Sequence, residues 1–154
     1  LADIRYLKNN ITMAFERSKN SQQPLTLLLI DLDDFHSINR RFGFKEGDRL
    51  LKKMAELLIL TVRQQDLACR FAGDRFAILL ENTEQNTASL LLSDTLNSIN
   101  HFKYYTQNGE RVEVRASGGM ASAKSSAENT LFEEAKLSLF RAKERRNKTT
   151  FVAI

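Results

Sequence analysis

The chain is poor in the residues that constrain a fold covalently or conformationally. Its 154 residues include one cysteine, one proline, six glycines and no tryptophan. A single thiol, Cys69, excludes a disulfide framework and points to a reducing compartment. Set inside an apolar stretch, Cys69 reads as a small core residue and not as a nucleophile. No apolar run is long enough to span a membrane, and the start lacks the basic-then-apolar order of a secretory signal. No GxGxxG or GxxxxGK[ST] string occurs, so Rossmann and P-loop nucleotide sites are unsupported. There is no zinc-ligand spacing and no aromatic-studded basic stripe, and the formal charge of +4 is too modest to argue for nucleic acid as a partner. The chain opens on Leu1 and not Met, which leads us to expect a piece of a longer multidomain protein. The expected location is the cytoplasm, either free or as the cytoplasmic part of a membrane-anchored protein.

What is present is an ordinary globular composition, 42% hydrophobic and 27% charged, in a length that suits one domain with a real core. There is no internal repeat and no low-complexity stretch. Apolar positions Ile4, Leu7, Ile11, Ala14 and Phe15 have helical spacing within residues 1–19. Pro24 ends the polar run that follows and launches a strand over Leu25–Ile30. A short helix is expected over 34–42, stopped by Gly43, then a longer one from about Glu46 to Arg63. The buried stripe of the longer helix would be Leu50, Leu51, Met54, Leu57, Leu58 and Leu60. A hairpin over Leu67–Leu80 precedes a helix from Thr87 to Asn100 carrying Leu90, Leu91, Leu92 and Leu96. A second hairpin pairs Phe102–Tyr105 with Val112–Ser117, a helix covers 127–145, and Thr149–Ala153 closes as a last strand. Helices interleaved with hairpins imply an α+β domain with a central mixed, mostly antiparallel sheet.

Two places carry candidate chemistry. The first strand runs into Asp31, Asp33 and Asp34. The first hairpin, Arg70-Phe-Ala-Gly-Asp-Arg-Phe-Ala-Ile-Leu-Leu80, has a Gly73-Asp74 pair, the mark of a tight turn, with Asp74 and Arg75 at its tip. A carboxylate at a strand end and another on a hairpin tip is one way to hold Mg²⁺ against a phosphate. Plainer readings stand beside this one. Asp31 and Asp33 are also placed to cap a helix, and Asp34 to cap one or face solvent. Asn39 suits a helix surface, Asp48 a first helical turn, and Asp74 a turn. Lys143 lies in the basic run 141–148, and Arg63 with Asp66 makes a local ion pair.

Five ordered strings resemble the GGDEF domain, the diguanylate cyclase family of bacterial signalling. Leu29-Ile-Asp-Leu-Asp-Asp-Phe-His-Ser-Ile-Asn39 is similar to LLDIDxFKxIN, and Phe42-Gly-Phe-Lys-Glu-Gly-Asp48 to YGHxxGD. Arg63-Gln-Gln-Asp66 occupies the place of the RxxD inhibitory motif, immediately before the hairpin. Ser117–Ala121 is similar to SIGVA, and Ala135–Lys143 to ADxALYxAK. The resemblance implies a fold like the nucleotidyl cyclase or polymerase palm. It also implies a reaction that condenses two GTP into cyclic di-GMP across an antiparallel homodimer with bound Mg²⁺. On that basis Asp31, the Leu32 carbonyl and Asp74 would bind metal. Asn39 and Asp48 would read guanine, Gly73 would lie beside GTP, Lys143 would face phosphate, and Arg63 with Asp66 would hold cyclic di-GMP. Neighbouring domains such as an EAL phosphodiesterase or a sensor would adjoin.

The signature itself departs from the family. Ala72-Gly73-Asp74-Arg75-Phe76 stands where the family has Gly-Gly-Asp/Glu-Glu-Phe. Ala72 adds one methyl, whereas Arg75 puts a cation where an acid belongs. That swap is expected to oppose a metal, or to divert Asp74 into an ion pair, or to offer the guanidinium to GTP phosphates. His36 stands at the family's lysine, Arg40 and Lys136 at aspartates, and the helix after the hairpin, 87–100, has no assisting arginine. No catalytic residue is therefore assigned. The leading expectation is a degenerate domain that binds GTP or cyclic di-GMP as a regulatory module. A weakly active cyclase and a dimerisation domain that binds no nucleotide stay open.

Overall fold

A computed structural model describes residues 4–123, 128–145 and 151–153. The elements run α1 (Ile4–Ser21), β1 (Leu25–Leu32), α2 (Phe35–Phe42), α3 (Phe44–Thr61), β2 (Leu67–Ala72), β3 (Arg75–Glu81), α4 (Gln85–Asn100), β4 (Tyr104–Tyr105), β5 (Arg111–Val112), β6 (Ala116–Ser122), α5 (Glu128–Glu144) and β7 (Phe151–Ala153). Five strands form one sheet in the order β2-β3-β1-β6-β7, with every pairing antiparallel except β6–β7. β4 and β5 make a separate two-stranded ribbon. The expected mixed, largely antiparallel α+β architecture is the one observed.

Successive side chains of a strand point to opposite faces, and β1 shows how this divides the core. Leu25, Leu27 and Leu29 pack with Ala77 and Leu79 of β3 beneath α1 and α5, through Leu7, Ile11, Ala14, Leu131, Ala135 and Leu139. Leu28, Ile30 and Leu32 face the other way, toward Leu50, Met54 and Leu58 of α3 and Leu92 and Leu96 of α4. All eight residues of β1 are buried, so both faces of the central strand are covered. At Gly119 a β-carbon would run into the backbone of Leu139, so glycine there lets α5 lie directly on β6.

Several expectations are corrected in detail. β1 continues to Leu32, which takes Asp31 into the ladder instead of leaving it at a helix cap. Leu60 is 84% exposed and Leu90 69% exposed. Each sits two positions from a buried residue of its own helix, Leu58 or Ala88, which turns it about 200° to the solvent side. The expected strand over Val112–Ser117 divides into β5 and the start of β6. The break is used: the Arg115 carbonyl accepts the Asp33 N–H at 2.8 Å. Neither Gly73 nor Asp74 has positive φ, so the first hairpin does not close through a primed turn. Its register shifts instead between Arg70 and Ala72, and Phe71 packs edge-on against Phe132 at 5.7 Å between ring centres. Of the expected last strand, 149–150 lie outside the described residues. Among the described residues no helix is long and apolar enough to cross a membrane.

Candidate functional site

The two-residue repeat that buries Leu25, Leu27 and Leu29 beneath α5 carries Asp31 to the same face. Across the ladder Asp31 pairs with Arg75 on one side and Ser117 on the other. Arg75 shares the parity of Ala77 and Leu79, so its side chain comes to the same face too. From α5, Lys143 lies one turn beyond Leu139, four residues on, and meets them there.

The result is a small charged cluster. Arg75 Nε lies 3.5 Å from Asp31 Oδ2, and Lys143 Nζ lies 3.6 Å from the same oxygen. Lys143 also donates to Asp33 Oδ1 at 2.8 Å, an oxygen that accepts the Ser117 hydroxyl at 2.8 Å as well. The hairpin tip is stitched to β1 by the Leu32 N–H donating to the Asp74 carbonyl at 3.3 Å, and is braced by Arg70 Nε on the Gly73 carbonyl at 2.7 Å. Burial and the neighbouring Asp74 push the Asp31 carboxyl up to about 7, and the two cations only partly offset that. Asp31 Oδ1 and Asp33 Oδ2 are buried without a hydrogen-bond partner.

Asp31, Leu32, Asp74, Gly73 and Lys143 are thus brought together. Two expectations change. Lys143 is not part of a solvated basic face but is partly buried between two aspartates. The ion pair of Arg75 is with Asp31 and not with Asp74. Asp33 and Ser117 went unassigned in the sequence. The signal for Asp33 was its two-residue spacing from Asp31; Ser117 is set by cross-strand register alone.

As a divalent-cation site these residues fit poorly. The unpartnered oxygen of Asp31 is buried, and the other oxygen of the same carboxylate already faces two side-chain cations. Among the described residues no three carboxylate, imidazole or thiol side chains gather to hold a metal. Cys69 offers nothing here: it is half-buried, and burial pushes its thiol up to about 11.

A second group lies at the α2–α3 junction. Asn39 Oδ1 is buried and unpartnered, and a β-carbon at Gly47 would collide with it. Glycine at 47 therefore leaves room for the Asn39 amide, while Asp48, one residue on, is exposed. Glu46 beside them accepts the Tyr104 hydroxyl and the Gln107 N–H, each at 2.9 Å, and ties the start of α3 to the β4–β5 ribbon. That tie was not legible in the sequence.

The Arg63–Asp66 pair is a third group. Arg63 Nε and Nη2 fork onto the Asp66 carboxylate at 2.8 and 3.0 Å. Nη2 also donates to the Glu81 carbonyl at 3.1 Å and the Thr83 hydroxyl at 2.5 Å. The pair is formed within the chain itself, and its arginine also braces the exit of β3.

Known proteins resemble this chain in sequence and in fold. Residues 1–149 match the family described as diguanylate cyclase, GGDEF domain. The chain is 29% identical over 144 residues to the diguanylate cyclase DgcS of Shewanella oneidensis, covering 93% of this chain and 47% of that one. It spans less than half the length of the curated relatives it matches first. Its fold superposes on the GGDEF domain of DgcB from Caulobacter crescentus, solved in complex with c-di-GMP, with a TM-score of 0.92 at 18% identity, covering 99% of this chain and 91% of that one. It also superposes on the active GGEEF domain of a diguanylate cyclase from Vibrio cholerae, with a TM-score of 0.84 at 26% identity over 99% of this chain and 97% of that one. Motifs, fold and matched length agree, and the chain belongs to the GGDEF domain family of diguanylate cyclases.

Proposed function

We propose that this chain is a degenerate GGDEF domain that binds guanine nucleotide as a regulatory module in cyclic di-GMP signalling and does not form cyclic di-GMP itself. The observation that carries this reading is Arg75 Nε at 3.5 Å from Asp31 Oδ2, a fixed cation where the family signature has an acid. Mg²⁺, which the family resemblance brings with it, would call on Asp31, the Leu32 carbonyl and Asp74, and these residues fit it poorly. Nothing in the reading depends on it.

Recognition of the guanine base belongs to residues that Arg75 does not touch. The Asn39 amide, kept open by Gly47, and the Asp48 carboxylate offer donor and acceptor groups to a guanine edge. Arg63, held in place by Asp66, offers a planar guanidinium to the guanine of cyclic di-GMP. A homodimer and an adjoining EAL phosphodiesterase or sensor domain complete the proposal, through which the bound state would be passed on.

Titration calorimetry with cyclic di-GMP and with GTP tests the reading, beside a chromatographic assay for cyclic di-GMP made from GTP. Binding of at least one nucleotide with no product is the expected result. Product formation would make the domain a cyclase. Failure of both nucleotides to bind would leave dimerisation as the role of the fold.

A further inference from the structure

The charge on the face shared by β1, β3 and α5 is balanced from within the chain. Asp31 meets Arg75 and Lys143, Asp33 meets Lys143, and Asp74 lies against Asp31, three carboxylates beside two cations, which leaves a net charge of −1. With an acid at position 75, as in the family signature, the same side chains would carry −3. A group at −3 calls for a divalent cation. A group at −1 makes no such call.

Arg75 is held in this place by the fold. It is the cross-strand partner of Asp31 and has the parity that faces α5. The turn that presents it is held at its tip, by the Leu32 N–H on the Asp74 carbonyl and by Arg70 on the Gly73 carbonyl. The side chain is a guanidinium, a donor with no acceptor of its own. It carries five donors, and Arg75 is 48% exposed, so the group that answers Asp31 keeps donors for an incoming anion.

We propose that Arg75 stands in for a divalent cation on Asp31, excluding metal from the cluster and receiving nucleotide phosphate oxygens itself, so that GTP binds without Mg²⁺. The exclusion of metal stands on the geometry alone; the phosphate contact rests on the nucleotide-binding reading above.

The two halves separate in one set of titrations. Mn²⁺ alone, followed by the loss of its free-ion electron paramagnetic resonance signal, is titrated into the native chain, Arg75→Glu and Arg75→Glu/Asp31→Asn. Melting curves show that each is folded. Arg75→Glu is expected to bind Mn²⁺ at least about tenfold more tightly than the native chain, the ratio that ~1.4 kcal/mol of charge interaction gives. The added Asp31→Asn should abolish that gain. Equal Mn²⁺ binding by native chain and Arg75→Glu overturns the exclusion, and so does absence of binding from both.

GTP is then titrated in EDTA and in Mg²⁺. Equal affinity in the native chain, with a Mg²⁺ requirement in Arg75→Glu, is the expected result. A Mg²⁺ requirement in the native chain overturns the phosphate contact. Failure of GTP to bind in either condition overturns both that contact and the GTP part of the proposed function, while the Mn²⁺ result still decides the exclusion.

Discussion

Replacing Arg63 by alanine tests the proposed cyclic di-GMP contact, but it should also cost stability, and the structure says how much. The Asp66 side chain is completely buried, and Arg63 covers it with two side-chain hydrogen bonds at 2.8 and 3.0 Å. The same guanidinium holds the Glu81 carbonyl and the Thr83 hydroxyl. Arg63→Ala removes all four bonds and leaves Asp66 with the backbone N–H of residue 63 at 3.2 Å. Stripping one partner from a fully buried pair costs about 3–5 kcal/mol. Here the arginine is 46% exposed, so water reaches the stranded carboxylate, and the expected loss falls to about 1–3 kcal/mol. For a domain of this size that lowers Tm by roughly 2–12 °C. Urea unfolding of Arg63→Ala, Asp66→Asn and the double variant measures it. The double variant should lose less than the two single losses added together, because the neutral amide that replaces the Asp66 carboxylate no longer needs a cation. Additive losses, or an Arg63→Ala variant within about 0.5 kcal/mol of native, would refute the buried-pair reasoning. The cycle also shows whether lost cyclic di-GMP binding in Arg63→Ala reflects lost contacts or a loosened fold.

Two further outcomes follow from the packing. The folded-state pKa of Asp31, about 7, lies above its ordinary value of 3.8, so folding favours its protonated form. This group's contribution to stability is therefore greatest below about pH 4, declines as pH rises toward 7 and is level above; Asp31→Asn should flatten that slope and raise Tm at pH 8, and a lower Tm would contradict it. Gly119→Ala should destabilise by about 1–3 kcal/mol or more in the same urea assay, because the added β-carbon meets rigid Leu139 backbone; a loss under about 0.5 kcal/mol would mean α5 is free to shift.

Much of the fold was legible because hydrophobic periodicity and punctuation are local. Pro24, Gly43 and the leucine rows placed β1, α2, α3 and α4 within a few residues. Leu60 and Leu90 misled because a row of leucines extends beyond the face that is buried, and composition alone does not mark where the face ends. The site was legible where residues close in sequence set it, as with Arg63 and Asp66; that Gly47 makes room for Asn39 came only from the packing of α2 on α3. It was not legible where register decides. That Arg75 answers Asp31 and not its sequence neighbour Asp74 depends on how β3 pairs with β1. That Lys143 lies between two aspartates depends on α5 sitting directly on Gly119. No string of residues states either fact.

β3 joins two of these places. Arg75 stands at its first residue and Glu81, whose carbonyl Arg63 grips, at its last. Seven residues of strand span about 20 Å. β3 is laddered to β1 along its whole length and to β2 along most of it, so it behaves as a strut of fixed length. Its ends cannot move apart or together without breaking pairs on both sides. An event at the Arg75 end that reaches the Arg63 end must do so as a tilt of the strand on its helices, and the spacing between the two arginine sites is a constant of the fold.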